Sequence, residues 1–486
     1  MKPLRALAAI VLCLAFIPSI AVAASATPAR PNILFILADD QGPWTTGFAG
    51  QRQVATPNMD RIAREGARFT HALTPTPVCS PARAGIMTSR YGTEVGILDW
   101  INPQVDQGLG LPANLVTWPR LLQQHGYATA LFGNWHLGDL EAQHPTQRGY
   151  GHFAGFLGGG SPPKDPVLEI DGVTKKREGF IVDLVADEAL KWLGAHDASR
   201  PFAASIHFRE PHASYLPVRD EDWAKVKDLD PIVPNPDYPG LDTARVKKLT
   251  REYLASVTAI DRNLGRILAL LDERGLAANT LLIYTSDHGY NIGQHGIWHK
   301  GNASWLLKPG FVPPATPTVS AGRRPNMFDT SLHIPLAIRW PGVIKPGTVE
   351  ARTVSHLDWL PTFAAITGAK MPAGTVLRGR DISPVLRGTA QRWDNDFYAE
   401  YSMRHGATVH MRTLRTPEWK LTRDFNSEGR DELYHLAADP DETRNLIADG
   451  SPAVTKARAA LDARILAKME ELKDPALPQA RARLRP

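Results

Sequence analysis

Acidic and imidazole side chains follow two apolar segments that lie far apart in the chain. Asp39 and Asp40 follow the run ILFIL after one residue, and Asp287 and His288 likewise follow the run LLIYT after one residue. Adjacent carboxylates repel each other unless a cation lies between them. Carboxylate oxygens are typical ligands of Ca²⁺ and Mg²⁺, whereas an imidazole is a less usual ligand for such hard cations. Either pair alone is equally well explained by Asp residues that cap turns, but the two pairs together predict a divalent-metal site.

The segment CSPAR is the most specific feature of the chain. Ser80 is of a helix-capping type and Pro81 suits a first helical turn, so a helix is predicted to begin here with Cys79 at its N-terminus. Free backbone N–H groups and Arg83, one turn later, would form an anion site. We expect a thiol in that position to be acidic and reactive. On residue type alone, a buried cysteine acting as a small apolar side chain is the alternative.

A parallel sheet is the element that would bring these distant residues together. Both apolar runs fit strands buried on two faces, and ligands of open α/β sheets bind at the carboxyl ends of the strands. Helical and strand patterns alternate between the two runs, which predicts βαβ units and an α/β fold with a large, mostly parallel central sheet flanked by helices. The predicted helices span 58–65, 115–125, 180–193 and 245–274, and the predicted strands span 128–132 and 202–208.

The pattern changes after about residue 370. Short segments separated by turn residues predict a small antiparallel sheet, followed by a helix, at 396–400, 409–413, 419–423, 432–435 and 452–472. We therefore predict a catalytic domain over 30–370 and a smaller C-terminal α+β domain over 371–486. The longest irregular stretch, 301–326, is rich in Pro, Gly and Ser, and so long a loop in a compact enzyme is usually functional or disordered.

Composition excludes several classes of protein. The chain has 486 residues, of which 43% are hydrophobic and 22% are charged, which is typical of a globular protein and not of a disordered or fibrous one. A net charge of +5 is too balanced to indicate a nucleic-acid partner. No run of 18 apolar residues occurs beyond the N-terminus, so an integral membrane protein and stable membrane association are not expected.

The N-terminus has the pattern of a secretory signal over residues 1–23. Lys2 and Arg5 form the positive region, an apolar stretch follows, and AVA supplies the small-residue cleavage pattern. We therefore predict an exported protein, periplasmic or secreted. Cys13 lies within this leader, so the mature chain would keep Cys79 as its single cysteine and form no intramolecular disulfide.

Several motifs together resemble the type I sulfatases of the alkaline-phosphatase superfamily. The signature of that family is C-x-P-x-R followed by a helix, and here it reads CSPARAGIMTSRYG, with DD before it and SDHG after it; the family more usually has TGR in place of TSR. The resemblance runs from Pro31 to about Leu446 and includes GNWHLG, EPH, GQHGIWHK and ELYHLAADPDETRNL. It implies an alkaline-phosphatase-like fold and an enzyme that hydrolyses sulfate esters.

The resemblance also implies a modified nucleophile and a metal. In this family the signature cysteine is oxidised to formylglycine (3-oxoalanine) by a formylglycine-generating enzyme, and the hydrated aldehyde attacks sulfur. Cys79 would be converted in this way, which explains why a lone cysteine persists in an oxidising compartment. By motif position, the ligands of Ca²⁺, or alternatively Mg²⁺, would be Asp39, Asp40, Asp287, His288 and the modified Cys79. The metal would activate the nucleophile and neutralise charge on the sulfate.

Four further residues take catalytic roles by resemblance. Arg83 would hold the nucleophile and the carboxylates, and His136 would hydrogen-bond the nucleophile. His212 and Lys300 would lie over the leaving-group oxygen, where either could act as general acid. From the residues alone, a packed histidine is the alternative for His136, and a solvated surface lysine is the alternative for Lys300. We predict that His295, in the same run as Lys300, packs against the site residues and does not contact the substrate.

Asn134 departs from the family pattern. The motif is usually G-K-W-H-x-G, and its lysine contacts the sulfate, so we list Asn134 as a substrate-binding position together with His212 and Lys300. A charge-assisted hydrogen bond contributes about 1.5–3 kcal/mol against about 1 kcal/mol for a neutral one. The change therefore predicts a loss of about one or two decades in rate unless another cation compensates. Candidates for that cation in the long loop are Lys308, Arg323 and Arg324.

Aromatic residues near the motifs indicate a sulfated saccharide as substrate, with a small aryl or alkyl sulfate ester next. The aromatic residues in question are Trp305 and Phe311 in the long loop and Trp44 and Trp100 elsewhere, and Asp99 is a polar residue beside Trp100. The competing enzyme hypothesis is a phosphoester or phosphonate hydrolase of the same superfamily. A non-enzymatic hypothesis is an exported sulfatase-like binding protein whose site is weakened by Asn134.

Overall fold

The computed structural model describes residues 30–484, so the predicted leader at 1–23 lies outside the described residues. The strands are β1 (Asn32–Ala38), β2 (Ala67–Phe69), β3 (Ala72–Leu73), β4 (Ala128–Asn134), β5 (His152–Phe156), β6 (Val167–Ile170), β7 (Val173–Lys176), β8 (Phe202–His207), β9 (Thr280–Ser286), β10 (Asn291–Ile292), β11 (Ile297–His299), β12 (Ser304–Trp305), β13 (Leu336–Arg339), β14 (Thr348–Glu350), β15 (Val354–Ser355), β16 (Phe397–Tyr401), β17 (Met411–Arg415), β18 (Trp419–Asp424) and β19 (Glu432–His435). The α-helices are α1 (Pro57–Glu65), α2 (Cys79–Thr88), α3 (Gly92–Val95), α4 (Trp118–Gln124), α5 (Ile181–Ala195), α6 (Asp220–Ala224), α7 (Thr243–Glu273), α8 (Asp329–Leu332), α9 (Trp359–Thr367), α10 (Ser383–Leu386), α11 (Pro452–Glu471) and α12 (Leu477–Arg483).

A ten-stranded mixed sheet forms the centre of the larger part of the molecule. Its order is β14-β2-β13-β9-β1-β8-β4-β5-β6-β7. The five strands from β9 to β5 are parallel to their neighbours, whereas β13 and the β6–β7 hairpin pair in the antiparallel direction. The fold-class prediction, a mostly parallel central sheet with a separate antiparallel sheet, is therefore confirmed. Neither β13 nor the β6–β7 hairpin was predicted, because these strands are short and lack a long apolar run.

Helices cover both faces of this sheet. Alternate residues of β1 point to opposite faces, as the pleat of a strand requires. Leu34 and Ile36 pack with α1, α5 and α7 on one face, and Phe35 and Leu37 pack with α2, α4 and α9 on the other. Burying apolar side chains on both faces explains why the strand is an uninterrupted apolar run.

The chain after α10 forms a second, smaller layer. Strands β16 to β19 make a four-stranded antiparallel sheet, and α11 and α12 pack against it. The predicted strands and helix lie here, although β17 begins two residues later than predicted, at Met411. The proposed division at 370/371 stays a prediction.

The long irregular stretch 301–326 is anchored to the chain around residue 407. The Thr408 N–H donates to Thr318 O at 2.7 Å, and Val319 bridges to Ala407. The C-terminal part of the loop is therefore held against the chain around residue 407, whereas most of 309–317 is exposed to solvent.

Of the predicted helices in the larger part, α4 is the one that differs most. It begins at Trp118 instead of residue 115, because Thr117 is still extended and Pro119 occupies the first turn, where its missing N–H costs nothing. A search of the helices within 30–484 for one long and apolar enough to cross a membrane finds none.

Candidate active site

Four neighbouring parallel strands end at the same edge of the sheet and supply most of the predicted residues. Ala38 pairs with Ser286, so Asp39 and Asp287 are the next residues of adjacent strands. In strand order, the residues that follow or end these four strands are Asp287 and His288 after β9, Asp39 and Asp40 after β1, His212 after β8, and Asn134 and His136 at and after β4. The register of the sheet is therefore what brings these distant segments together.

Helix α2 adds Cys79 as its first residue, and the side chain is 2% exposed. Its Sγ lies 3.8 Å from Asp39 Oδ1 and 3.5 Å from His288 Nε2. Two expectations about this helix are wrong. Ser80 does not cap it, because its Oγ instead accepts the Ile101 N–H at 3.0 Å. The thiol is not acidic, because burial and the carboxylates around it raise the pKa of Cys79 well above its ordinary value.

Arg83 bridges the carboxylates of Asp39 and Asp287, one from each of the two segments. Its Nη2 lies 3.0 Å from Asp39 Oδ2, its Nε lies 3.2 Å from Asp287 Oδ2, and its Nη1 donates to Asn134 O at 3.0 Å. The side chains of Arg83, Asp39 and Asp287 are almost completely buried. Burial alone would raise the pKa of Asp39, but Arg83 and the other basic side chains around it together outweigh burial and lower the pKa. Arg83 therefore fixes the carboxylates and is not an open anion site.

Ligand atoms of Asp39, Cys79, Asp287 and His288 all lie within 4.8 Å of one another, as do those of Asp39, Asp40 and His212. The tautomer of His288 determines which atom it presents to this cluster. His288 Nδ1 lies 2.9 Å from Gly289 O, which can only accept, so Nδ1 carries the proton. In the neutral ring, Nε2 then presents a lone pair to Asp40 Oδ1 at 3.2 Å and to Asp287 Oδ1 at 3.4 Å. Electron-rich atoms face one another across a small space, so the residues fit a bound cation.

The pKa values at this edge follow the same charges. Burial, with the charge of Asp39, raises the pKa of Asp287 to about 8. Burial and the charge of Lys300 lower the pKa of His288 to about 3, so the ring is neutral and able to act as a ligand. Within residues 30–484, the buried Asp40 Oδ2 has no hydrogen-bond partner, which is a further sign that a positive group belongs there.

Lys300 is buried at the cluster and is not the solvated surface lysine considered from sequence. Its Nζ lies 2.8 Å from Cys79 Sγ and donates to Asp40 Oδ1. Strand β11 positions it, through the small sheet β10-β11-β12. His212 Nε2 lies 3.9 Å from Asp40 Oδ2. Lys300 and His212 thus lie on the cavity side of the carboxylates.

His136 and Asn134 lie around Asp39, and His136 also lines the cavity. Asn134 Nδ2 donates to Asp39 Oδ2 at 2.7 Å, and Asn134 Oδ1 is buried without a partner. His136 Nε2 lies 3.0 Å from Ile101 O, which leaves Nδ1 free of hydrogen bonds within the described chain. His136 has a φ of 57° and Asp40 a φ of 71°, left-handed values that side chains other than glycine rarely adopt and that concentrate at functional sites.

A cavity of about 560 Å³ opens above Cys79. Its lining combines four of the predicted site residues with aromatic, glycine and basic residues: Cys79, Trp100, Ile101, Pro103, His136, Gly158, Gly159, Gly160, His212, His299, Lys300, Asn302, Arg323, His405 and Gly406. Gly159 is needed for the close approach of His136, because a Cβ there would lie 2.2 Å from the imidazole ring. The size and the mixed lining fit a small organic leaving group.

Trp100 and His405 form one wall of this cavity. Their ring centroids are 4.7 Å apart, and His405 also pairs with Asp106 at 3.0 Å. Asp99 holds the two segments together, since its carboxylate accepts the Trp100 N–H at 2.9 Å and the His405 N–H at 3.1 Å. Asp99 is buried and therefore positions the wall instead of contacting a ligand.

The other loop residues considered from sequence lie elsewhere. Trp44 stacks on Tyr253 and donates to Tyr290 O, and His295 stacks on Phe328. The residues of that group that are absent from the cavity lining are Trp44, His295, Trp305, Lys308, Phe311 and Arg324.

Sequence reasoning missed His207, His299 and His405. His207 Nδ1 lies 2.9 Å from Asn134 O, so it supports the loop that carries Asn134. His299 was missed because it directly precedes Lys300, and no sequence motif distinguishes it as a separate site residue. His405 lies in a turn more than 300 residues from Trp100, and no local pattern indicates that distant contact.

A family model described as Sulfatase matches residues 31–369, and one described as N-sulphoglucosamine sulphohydrolase, C-terminal, matches 323–471. An N-acetylglucosamine-6-O-sulfatase of Bacteroides thetaiotaomicron is 26% identical over 86% of this chain and 82% of its own length. A steryl-sulfatase of Mus musculus is 29% identical to this chain, over 90% of this chain and 82% of its own length. A structure solved in complex with its substrate D-glucosamine-2-N,6-O-disulfate has the same fold, with a TM-score of 0.76 at 24% identity over 92% of this chain and 99% of that one.

Proposed function

The chain belongs to the sulfatase family and is a sulfuric ester hydrolase, and from this premise we propose that it is an exported enzyme acting on a carbohydrate sulfate through a formylglycine nucleophile and a divalent metal ion. The observation that carries the proposal is the position of Cys79, whose Sγ lies beside Asp39, His288 and Lys300 at the carboxyl edge of the sheet. The secretory pattern at 1–23 supports export to the periplasm or medium.

We propose that Asp39, Asp40, Asp287 and His288, with the modified residue 79, hold Ca²⁺, with Mg²⁺ as the alternative. Three carboxylates and one neutral imidazole with its lone pair turned inward are a donor set suited to such an ion. When bound, the ion would neutralise charge on the sulfate oxygens, and the hydrated aldehyde of formylglycine would supply the nucleophilic oxygen. A formylglycine-generating enzyme is the partner that this maturation requires.

The residues around Cys79 have separate tasks in this proposal. Arg83 keeps Asp39 and Asp287 in fixed orientations, so they need not reorganise during the reaction. His136, whose Nδ1 is unpartnered, faces the cavity from the side of Asp39 and would hydrogen-bond the nucleophile. Lys300 and His212 line the cavity side and would donate a proton to the departing alcohol.

A saccharide is the proposed substrate class for two reasons. The cavity of about 560 Å³ offers the wall formed by Trp100 and His405 beside polar side chains, a combination suited to a sugar ring. The N-acetylglucosamine-6-O-sulfatase that this chain resembles is named for a sugar sulfate. The steryl-sulfatase is named for a different leaving group, so a small non-sugar sulfate ester is the second candidate.

A paired assay tests the proposal. Wild-type protein matured with a formylglycine-generating enzyme is compared with Cys79→Ala on nitrophenyl sulfate, nitrophenyl phosphate and a panel of defined sulfated sugars. We expect the wild type to favour sulfate over phosphate and Cys79→Ala to lose at least about 1,000-fold in rate, because the nucleophile is gone. A preference for phosphate would favour the phosphoester or phosphonate hydrolase, and wild-type protein inactive on every sulfate ester would contradict the proposal.

A further inference from the structure

We propose that Arg323 is a specificity-determining residue that binds a second anionic group, a carboxylate or a second sulfate, on the leaving group of the substrate. The inference rests on the proposed function of the same cavity and narrows its substrate class. Sugars that carry only the scissile sulfate would bind less tightly than sugars that carry an additional negative charge.

The charge balance of the cavity wall is the first argument. Among the described residues that line the cavity, there is no Asp or Glu. The charge of Lys300 is neutralised by Asp40, and His405 is paired with Asp106. Arg323 forms no ion pair with any carboxylate in the described part of the chain. One uncompensated positive charge therefore faces the space above Cys79, and a guanidinium is well suited to carboxylate or sulfate oxygens.

The fixed position of Arg323 is the second argument. On one side its Nη1 lies 3.4 Å from Ser304 Oγ and 3.5 Å from Asn302 O, and the backbone of Arg323 bridges to Ser304. On the other side it packs against Gly406, where a Cβ would lie 3.3 Å from Nε and 3.4 Å from Nη2. Gly406 has a φ of 84°, so both its conformation and this close packing favour glycine. A guanidinium held between two segments loses less freedom when it binds an anion.

The other cations of the stretch 301–326 do not share these properties. Arg324 is paired with Glu432, and its guanidinium lies 5.3 Å from the ring centroid of Phe328. Lys308 is exposed and absent from the lining of the cavity. Of the three positive residues in this stretch, Arg323 is therefore the one that a bound leaving group would meet, and Lys308 provides a control in the same loop with the same charge.

The test uses sets of three sulfate esters that share one ring: the sulfate alone, the sulfate with an added carboxylate, and the sulfate with a second sulfate. We expect Arg323→Gln to raise KM about 10-fold for one or both doubly charged esters and to leave KM and kcat of the singly charged ester within about twofold. Arg323→Lys should recover part of the loss, because it restores the charge without the planar fork. Lys308→Gln should change none of these values. Which doubly charged ester responds identifies the anion.

Calorimetric titration of the same three esters into Cys79→Ala, with and without Arg323→Gln, measures binding without turnover. An affinity loss confined to the doubly charged esters supports the inference. An equal effect on all three esters, or no effect on any, overturns it, whether or not the wild type turns over sulfate esters. A wild type that binds the doubly charged esters more tightly but hydrolyses no sulfate ester would contradict the proposed function and leave the role of Arg323 standing.

Discussion

The Nε2 atom of His288 lies 3.2 Å from Oδ1 of Asp40, and the other ring nitrogen of His288 is committed to the Gly289 carbonyl. A neutral imidazole therefore directs its lone pair at a carboxylate oxygen. This contact is repulsive unless positive charge lies close by, and Lys300, which donates to the same oxygen, supplies part of it. The remaining excess of electron-rich atoms is the feature of the site that supports the proposed metal ion.

Metal removal should therefore destabilise the protein as well as inactivate it. We expect a chelator to lower Tm by several degrees and an excess of Ca²⁺ to restore it, since a ligand at 100 times its Kd stabilises by about 2.7 kcal/mol. Differential scanning fluorimetry with and without added Ca²⁺ or Mg²⁺ measures this directly. The variant His288→Asn keeps a small polar ligand and should retain the response, whereas an unchanged Tm in wild-type protein on chelation would count against the metal site.

Lys300 should matter most when the leaving group needs a proton. We expect Lys300→Met to reduce kcat/KM for an alkyl or sugar sulfate by about 10²–10⁴-fold and to affect nitrophenyl sulfate far less, because nitrophenolate leaves without protonation. His212→Gln, made in parallel, shows how the two residues share this task. Equal losses on both kinds of substrate would assign Lys300 to positioning Asp40 and residue 79 instead, as its contacts with both also allow.

Asn134 should lower the rate of sulfate-ester hydrolysis relative to a lysine at this position. We expect Asn134→Lys to raise kcat/KM for a sulfate ester about 10-fold, because it adds a charge near the sulfate in place of a neutral amide. Asn134→Leu should lower activity, because it removes the hydrogen bond to Asp39 Oδ2. Steady-state kinetics at equal metal loading compare the three proteins. No gain from the lysine would mean that another cation already serves the sulfate.

Glu400 should limit stability at alkaline pH. Burial raises its pKa to about 7 against the attraction of Arg412, so the folded state favours the neutral acid while the unfolded chain ionises near pH 4.5. Its stabilising contribution is complete below pH 4.5 and is lost as the pH rises towards 7. We therefore expect the change in the free energy of unfolding caused by Glu400→Gln to be more favourable at pH 8 than at pH 4.5. The difference between the two changes should be up to about 3 kcal/mol. Urea unfolding at the two pH values measures the difference, and an effect that is the same at both would contradict the assignment.

The sequence predicted the main residues of the site because they obey a local rule. Apolar runs of strand length end in acidic or imidazole residues, and parallel strands place their carboxyl ends at one edge, so Asp39 and Asp287 had to meet if β1 and β9 were neighbours. No local pattern specifies that neighbour relation, which depends on the order of ten strands. The roles of Arg83, His136, His212 and Lys300 came from family resemblance and not from spacing.

The remainder was not predictable because it depends on contacts between distant loops. The wall formed by Trp100 and His405 requires Asp99 to bind backbone groups some 300 residues away. The expectation of an acidic thiol at a helix N-terminus is wrong, because burial together with the neighbouring carboxyl groups outweighs the charge of Lys300 and raises the pKa of Cys79. Local sequence indicates which side chains are able to react, but the charges around them are set by tertiary structure.

The most direct test of the central claim is the mass of the peptide that contains residue 79, taken from protein produced with a formylglycine-generating enzyme. Conversion of the thiol to the aldehyde replaces H₂S by oxygen, so we predict a peptide about 18 Da lighter than the sequence requires. Hydrolysis of sulfate esters should rise in proportion to the converted fraction. A peptide that keeps the full mass of an unmodified Cys79, in protein that nevertheless hydrolyses sulfate esters, would contradict the account.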